Sequence, residues 1–159
     1  MSVLSAFNNV LKDFLSDMIR TFPDLQDLKT IQTLCEMLQR INPRMALDNF
    51  LSVGGRYHVK ILHKQSSFFE DLNNWKNDPY FESEFLSGQS EVFQKLVVFK
   101  DIWVGLSETN KKRIWKYFRQ LLLFGAMANK NAELADLCKD IIKVGKETNE
   151  RNNRPKSNE

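Results

Sequence analysis

Apolar residues recur every three or four positions along the N-terminal part of the chain, which is the spacing of one face of an α-helix. Ser2 before this stripe is a favoured N-cap residue, and Pro23 after it cannot continue a helix. The members of the stripe are Val3, Phe7, Val10, Leu11, Phe14, Met18 and Phe22. The same period continues over residues 25–41. The pattern therefore predicts two helices, the second ending at about Arg40.

The next segment combines residues that start helices with residues that break them. Asn42 and Pro43 suit an N-cap and a first helical position, so a third helix should run from Pro43 to the following glycine pair. Gly54 and Gly55 each cost about 1 kcal/mol in a helix interior relative to Ala, which favours a C-cap or a kink. Residues 57–61 alternate like a strand, but a helical period also crosses the glycines and a lone strand has no partner. We predict a kinked helix or a helix pair here.

Residues 64–88 have no clear period and contain several turn signals, yet they are rich in aromatic side chains. A loop of this composition is expected to pack against the helices or to form an interaction surface. The residues of this candidate interaction loop are Phe68, Phe69, Trp75, Tyr80 and Phe81.

Helical periodicity returns in the C-terminal half. One stripe covers residues 89–106, and Ser107 then suits the N-cap of another helix. Trp103 and Trp115 both lie on the apolar stripes, so we expect them in the core. A last helix is expected around residues 134–142.

The elements together predict the all-α class. We expect a single-domain bundle of about six helices over residues 1–147, with the aromatic-rich loop in mid-chain. Residues 148–159 lack apolar side chains and are rich in polar and basic ones, which is typical of a disordered basic tail.

Composition agrees with a globular chain. Of its 159 residues, 42% are hydrophobic, enough to bury a core without metal or disulfide cross-links. Cys35 and Cys138 lie on inward-facing stripes and are expected to be buried. Two isolated cysteines favour a reducing, intracellular compartment. The apolar run 121–128 is too short to span a bilayer.

No residue set has the spacing of a catalytic or metal site. His58 and His63 are five positions apart, so they lie on different faces of a helix. The carboxylates between Glu70 and Glu84 do not match a calcium-binding loop. Residues 53–56 contain two glycines but lack the Lys-Ser/Thr ending of a phosphate-binding loop. We therefore expect no catalytic residue, no cofactor and no metal.

Charge is distributed unevenly, although the net charge is only +3. Residues 1–110 carry 11 basic and 14 acidic side chains, whereas residues 111–159 carry 12 basic and 6 acidic ones. This asymmetry is typical of a C-terminal half that binds polyanions. It also fits two halves that attract one another, either in the fold or in a dimer.

Five basic residues cluster at the start of the helix that follows Ser107. Three interpretations stay open: a solvated face that balances acidic neighbours, a surface that contacts phosphates, or a docking site for an acidic protein. On a helix, Lys112, Lys116 and Arg119 share one face, away from the apolar one. The residues of this candidate surface are Lys111, Lys112, Arg113, Lys116 and Arg119.

Two longer motifs carry a resemblance. Residues 14–25 read Phe-Leu-x-Asp-x-x-x-Thr-Phe-Pro-Asp-Leu, and residues 102–117 read Ile-Trp-x-x-Leu-Ser-x-x-Asn-Lys-Lys-x-Ile-Trp-Lys-Tyr. With these motifs the chain resembles a group of uncharacterised helical proteins encoded by nucleocytoplasmic large DNA viruses, over most of its length. The resemblance implies an origin in a large DNA virus, and it supplies no catalytic residues.

These observations predict a non-enzymatic viral structural or accessory protein that acts through protein–protein interaction, with a protein partner or with itself. The alternative is a nucleic-acid-binding accessory protein that uses the basic helix 111–119 and the C-terminal tail. No small-molecule substrate is indicated. The resemblance implies the host cytoplasm or a virus factory as the location, or the virion itself.

Overall fold

The computed structural model describes residues 2–55, 57–65, 67 and 102–153, with their side chains except at 52, 53 and from 144 onward. Within these ranges the chain forms helices and turns without a β-strand, which confirms the predicted all-α class. The helices of the described residues are α1 (Val3–Thr21), α2 (Gln26–Ile41), α3 (Met45–Gly54), α4 (His58–Leu62), α5 (Glu108–Ala128) and α6 (Ala132–Asn153).

Helix α5 is central among the described elements. It packs against α1, α3, α4 and α6, whereas α2 packs against α1 and α3. The hydroxyl of Ser107 accepts a hydrogen bond from the backbone N–H of Asn110 at 3.2 Å, so Ser107 caps α5 as predicted. Ser2 caps α1 in the same way, through the N–H of Ser5 at 3.0 Å. The sequence therefore identifies both helix starts, because N-caps depend on local hydrogen bonds.

Aromatic side chains of α1 and α5 form the centre of the core. The ring centroid of Phe14 lies 5.3 Å from that of Tyr117 and 5.4 Å from that of Phe118. Trp103, just before α5, meets Trp115 edge to face at 5.2 Å. Both tryptophans are buried, which confirms their predicted position in the core. Aromatic pairs of this kind contribute about 0.5–1.5 kcal/mol beyond the burial of their area.

Helices α3 and α4 form a helix pair, one of the two predicted arrangements, because α3 ends at Gly54 and α4 begins at His58. Helix α3 begins at Met45, so the predicted start at Pro43 is two residues early. The side-chain oxygen of Asn42 accepts a hydrogen bond from the backbone N–H of Arg44 at 3.0 Å. Asn42 therefore stabilises a turn that contains Pro43, rather than capping the helix.

Helix α6 begins after Asn131, whose side-chain oxygen accepts a hydrogen bond from the N–H of Leu134 at 3.1 Å. Its backbone is helical to Asn153, so residues 148–153, which the sequence assigns to a disordered tail, continue the helix. The rest of the predicted tail, residues 154–159, lies outside the described residues.

The predicted helix over residues 89–106 is described only at its end. Ile102 and Trp103 are helical, and a turn at Val104 and Gly105 leads to the cap of α5. In the part of the chain that the structure describes, no helix is long and apolar enough to cross a membrane.

Candidate interaction surfaces

Asp17 is a buried charged residue, 6% exposed, at the contact between α1 and α5. Its Oδ1 accepts a hydrogen bond from Arg113 of α5 and another, at 3.2 Å, from Arg20 of α1. Its Oδ2 accepts one from the hydroxyl of Tyr117 at 3.0 Å. An acidic residue of the N-terminal half thus pairs with a basic residue of the C-terminal half. The ion pair of Asp17 with Arg113 therefore joins the acidic and the basic half of the chain within the fold. Attraction between the two halves is one of the two interpretations of the charge asymmetry that the sequence left open.

The ionisation of Asp17 depends on these donors. Burial alone would raise the pKa of its carboxyl group, but hydrogen bonds from Arg113, Arg20 and Tyr117 outweigh burial and hold the pKa of Asp17 below its ordinary value. Burial and the adjacent carboxylate raise the pKa of Tyr117. Asp17 is therefore ionised and Tyr117 protonated at neutral pH, as their hydrogen bond requires.

Lys111 and Arg113 both contact their own chain. The ammonium of Lys111 lies 3.7 Å from a carboxylate oxygen of Glu108 and 5.5 Å from the centre of the Trp103 ring. Arg113 pairs with Asp17 and also donates to the side-chain oxygen of Asn110 at 3.1 Å. Neither side chain is presented freely to a partner.

Arg119 is also directed toward the fold. Its Nη2 donates a hydrogen bond to the backbone carbonyl of Leu62 at the end of α4, and its side chain is half-buried. Its Nε is buried and makes no hydrogen bond. Burial lowers the pKa of Arg119, but the group stays charged because its ordinary pKa is far above neutrality.

The five residues of the predicted basic surface therefore do not form one exposed surface. Lys112 and Lys116 are exposed, whereas Lys111, Arg113 and Arg119 contact other groups of the chain. Helical spacing predicts which side chains share a face, but it does not predict which of them find partners on neighbouring elements.

Lys64 joins the exposed lysines of α5 from another element. It follows α4 in a left-handed backbone conformation, with φ of 53°. Lys64 lies two residues after Leu62, whose carbonyl accepts a hydrogen bond from Arg119 of α5. Partial burial and the positive charges of Arg119 and Lys112 lower the pKa of Lys64. Lys64 is not part of the basic surface that the sequence predicts on the helix after Ser107. Its proximity to α5 depends on how α4 packs, which no local pattern predicts.

Helix α2 leaves apolar side chains exposed along one flank. Ile41 is 73% exposed and Met37 51%, and their spacing of four residues places them on the same side of the helix. Leu34, one turn before Met37, is half-buried. The helix buries a different face, which carries Ile31 and Cys35, against α1 and α3.

The cysteines are buried as predicted. Burial raises the pKa of each thiol, Cys35 and Cys138, to about 11, with an added contribution from the carboxylate of Glu36 at Cys35. Both are therefore protonated at neutral pH and pack as small apolar groups.

The ring of His58 contacts the backbone of its own chain, with Nδ1 at 2.8 Å from the carbonyl oxygen of Gly55.

Metal ligation has no candidate among the described side chains, where no group of three or more His, Cys, Asp or Glu residues could hold an ion. The carboxylates of residues 70–84 lie outside the described residues. So does the whole candidate interaction loop, namely Phe68, Phe69, Trp75, Tyr80 and Phe81.

Comparison with known proteins gives no relative: no protein-family model, no curated protein and no solved structure matches this chain.

Proposed function

We propose that this protein is a non-enzymatic viral structural or accessory protein that acts through protein–protein interaction. The apolar flank of α2, formed by Leu34, Met37 and Ile41, is the observation that carries this proposal. Two large apolar side chains four residues apart are exposed there. Each gains stabilisation of about 25 cal/mol per Å² when another protein surface covers it. The viral part of the proposal rests on the resemblance of residues 14–25 and 102–117 to proteins of large DNA viruses.

The competing function, nucleic-acid binding, has less support from the geometry. Three of the five basic residues that would contact phosphates are engaged with other groups of the chain, namely Lys111, Arg113 and Arg119. Within helix 111–119, Lys112 and Lys116 are the basic residues that stay exposed, so this helix offers few phosphate contacts, and the affinity of non-specific binding depends on their number. The side chains of the tail, the other part of that surface, lie outside the described residues.

Self-association of the purified chain at two salt concentrations tests the proposal, because a second copy is the simplest protein surface that can cover α2. Sedimentation velocity should show association that persists at about 0.5 M salt, since screening weakens charge contacts but not apolar burial. The double substitution Met37→Glu and Ile41→Glu should abolish it. The control Lys29→Glu, at an exposed position of α2 eight residues before Met37, changes the net charge equally and should leave the association unchanged. Equal loss in both variants, or a chain that stays monomeric and binds duplex DNA tightly, would contradict the proposal.

A further inference from the structure

Cationic side chains from two elements lie beside the contact between α4 and α5. Lys112, Lys116 and Arg119 follow one another at spacings of four and three residues, so they lie along one face of α5. Lys64 reaches the same place from the end of α4. The hydrogen bond from Arg119 to the carbonyl of Leu62, two residues before Lys64, fixes the two elements together at this point. These four residues are called the cationic cluster below.

The cationic cluster lacks a counter-charge in the described part of the chain. The ion pairs found there involve other basic residues, and none joins a carboxylate to Lys64, Lys112, Lys116 or Arg119. Partial burial lowers the pKa of Lys64, and the positive charges of Arg119 and Lys112 lower it further. Like charges held together cost free energy that an anionic partner would recover. Part of the cluster is also preorganised, since Arg119 is half-buried and held by a backbone carbonyl.

We propose that the cationic cluster is a docking site for an acidic segment of a partner protein. This inference rests on the proposed function and names the chemistry of the partner. The cations of α5 extend over about 10 Å at helical spacing, which matches carboxylates on one face of a partner helix. The exposed ammonium groups of Lys112 and Lys116 supply the point charges that pair with these carboxylates, while Arg119 adds positive charge beside them from its position at the carbonyl of Leu62.

A protein partner fits better than a nucleic acid for two reasons. A duplex-binding surface that makes about six to ten phosphate contacts needs more cations than the cluster provides. The net charge of the whole chain is only +3, so the long-range field that steers a polyanion is weak.

Fluorescence anisotropy with the full-length chain and a fluorescein-labelled polyglutamate peptide tests the site. At about 0.15 M salt, the pair Lys112→Glu and Lys116→Glu should weaken peptide binding at least about tenfold, because attraction becomes repulsion at the centre of the cluster. The matched control is Lys12→Glu with Lys29→Glu, exposed lysines on α1 and α2 that change the net charge equally. This control should bind within about twofold of the parent chain, which separates a local site from the general effect of charge.

Three outcomes would overturn the docking site: no peptide binding by the parent chain, equal weakening in both pairs, or no weakening in either. Thermal melting of each variant verifies its fold, and Lys112→Ala with Lys116→Ala replaces the charge reversal if the glutamates destabilise α5.

In a second experiment, a labelled random-sequence DNA duplex replaces the peptide. Tight duplex binding that requires the cluster would overturn both this inference and the proposed function. Salt-resistant self-association through α2 without peptide binding would overturn this inference alone.

Discussion

At the scale of single residues, Asp17 connects the two halves of the chain. Its carboxylate lies in the core, 6% exposed, and is stabilised by donors from α1 and α5. A buried charge of this kind is tolerated only while its partners remain, since an unpaired ion away from water is costly. The partner Arg113 keeps 37% of its side chain exposed, which moderates the cost of separating the pair.

Removal of this carboxylate should destabilise the fold. Asp17→Ala removes the acceptor that Arg113 and Tyr117 share, and we expect a loss of about 2–3 kcal/mol in the free energy of unfolding, measured by urea denaturation. The control Asp13→Ala, an exposed residue on the same helix, should change it by less than about 0.5 kcal/mol. Equal stability of the two variants would show that Asp17 does not hold α1 to α5.

Acid should weaken the same contact. Because the pKa of Asp17 in the folded chain lies below its ordinary value, the stabilisation is fully present above that ordinary value and is lost as pH falls through the folded pKa. The difference in unfolding free energy between the parent chain and Asp17→Asn should be constant from about pH 7 to pH 5 and shrink below about pH 4. A difference that already disappears near neutral pH would contradict the assigned direction of the pKa.

At the scale of elements, local patterns predict the helices better than their contacts. Periodicity and N-cap residues identify α1, α2 and the start of α5, because each signal acts within a few residues. The helix start at Pro43 is predicted two residues early, since Asn42 serves a turn there. The close approach of α3 to α5 has no local signal. A Cβ atom at Gly125 would lie 2.8 Å from Cδ2 of Leu51, so this glycine provides the space for that side chain.

This close approach gives a prediction about packing. Gly125→Val should destabilise the fold by about 1–3 kcal/mol, because the added methyl groups overpack the contact with Leu51. In the double variant Gly125→Val with Leu51→Ala, the loss of unfolding free energy should be less than the sum of the losses in the two single variants, because the shorter side chain at position 51 leaves the space that valine needs. Gly105→Val is the control, in a turn where a Cβ would meet its nearest atom at 3.8 Å. Strict additivity of the double variant, measured by urea denaturation, would exclude direct contact between residues 51 and 125.

At the scale of the whole molecule, the structure shows where the unevenly distributed charges of the sequence lie in the fold. Part of this charge asymmetry stabilises the fold through Asp17 and Arg113, and part remains as the cationic cluster. The sequence predicts that the basic residues of α5 cluster at its start. It does not predict which of them contact other groups of the chain and which stay exposed. It also did not link Lys64 to them, because such contacts join elements far apart in the chain. The identity of a partner depends on a second molecule, and no single-chain pattern encodes it.

Binding of a random-sequence DNA duplex to the full-length chain tests the central claim, that the protein works through protein contacts rather than phosphate contacts. Fluorescence anisotropy should show no saturable binding at about 0.15 M salt, since most of the predicted basic surface is engaged within the fold. Tight binding that weakens steeply with salt, with release of about 0.9 counterion per phosphate contact, would contradict this account, particularly if Lys112→Glu and Lys116→Glu removed it without loss of fold.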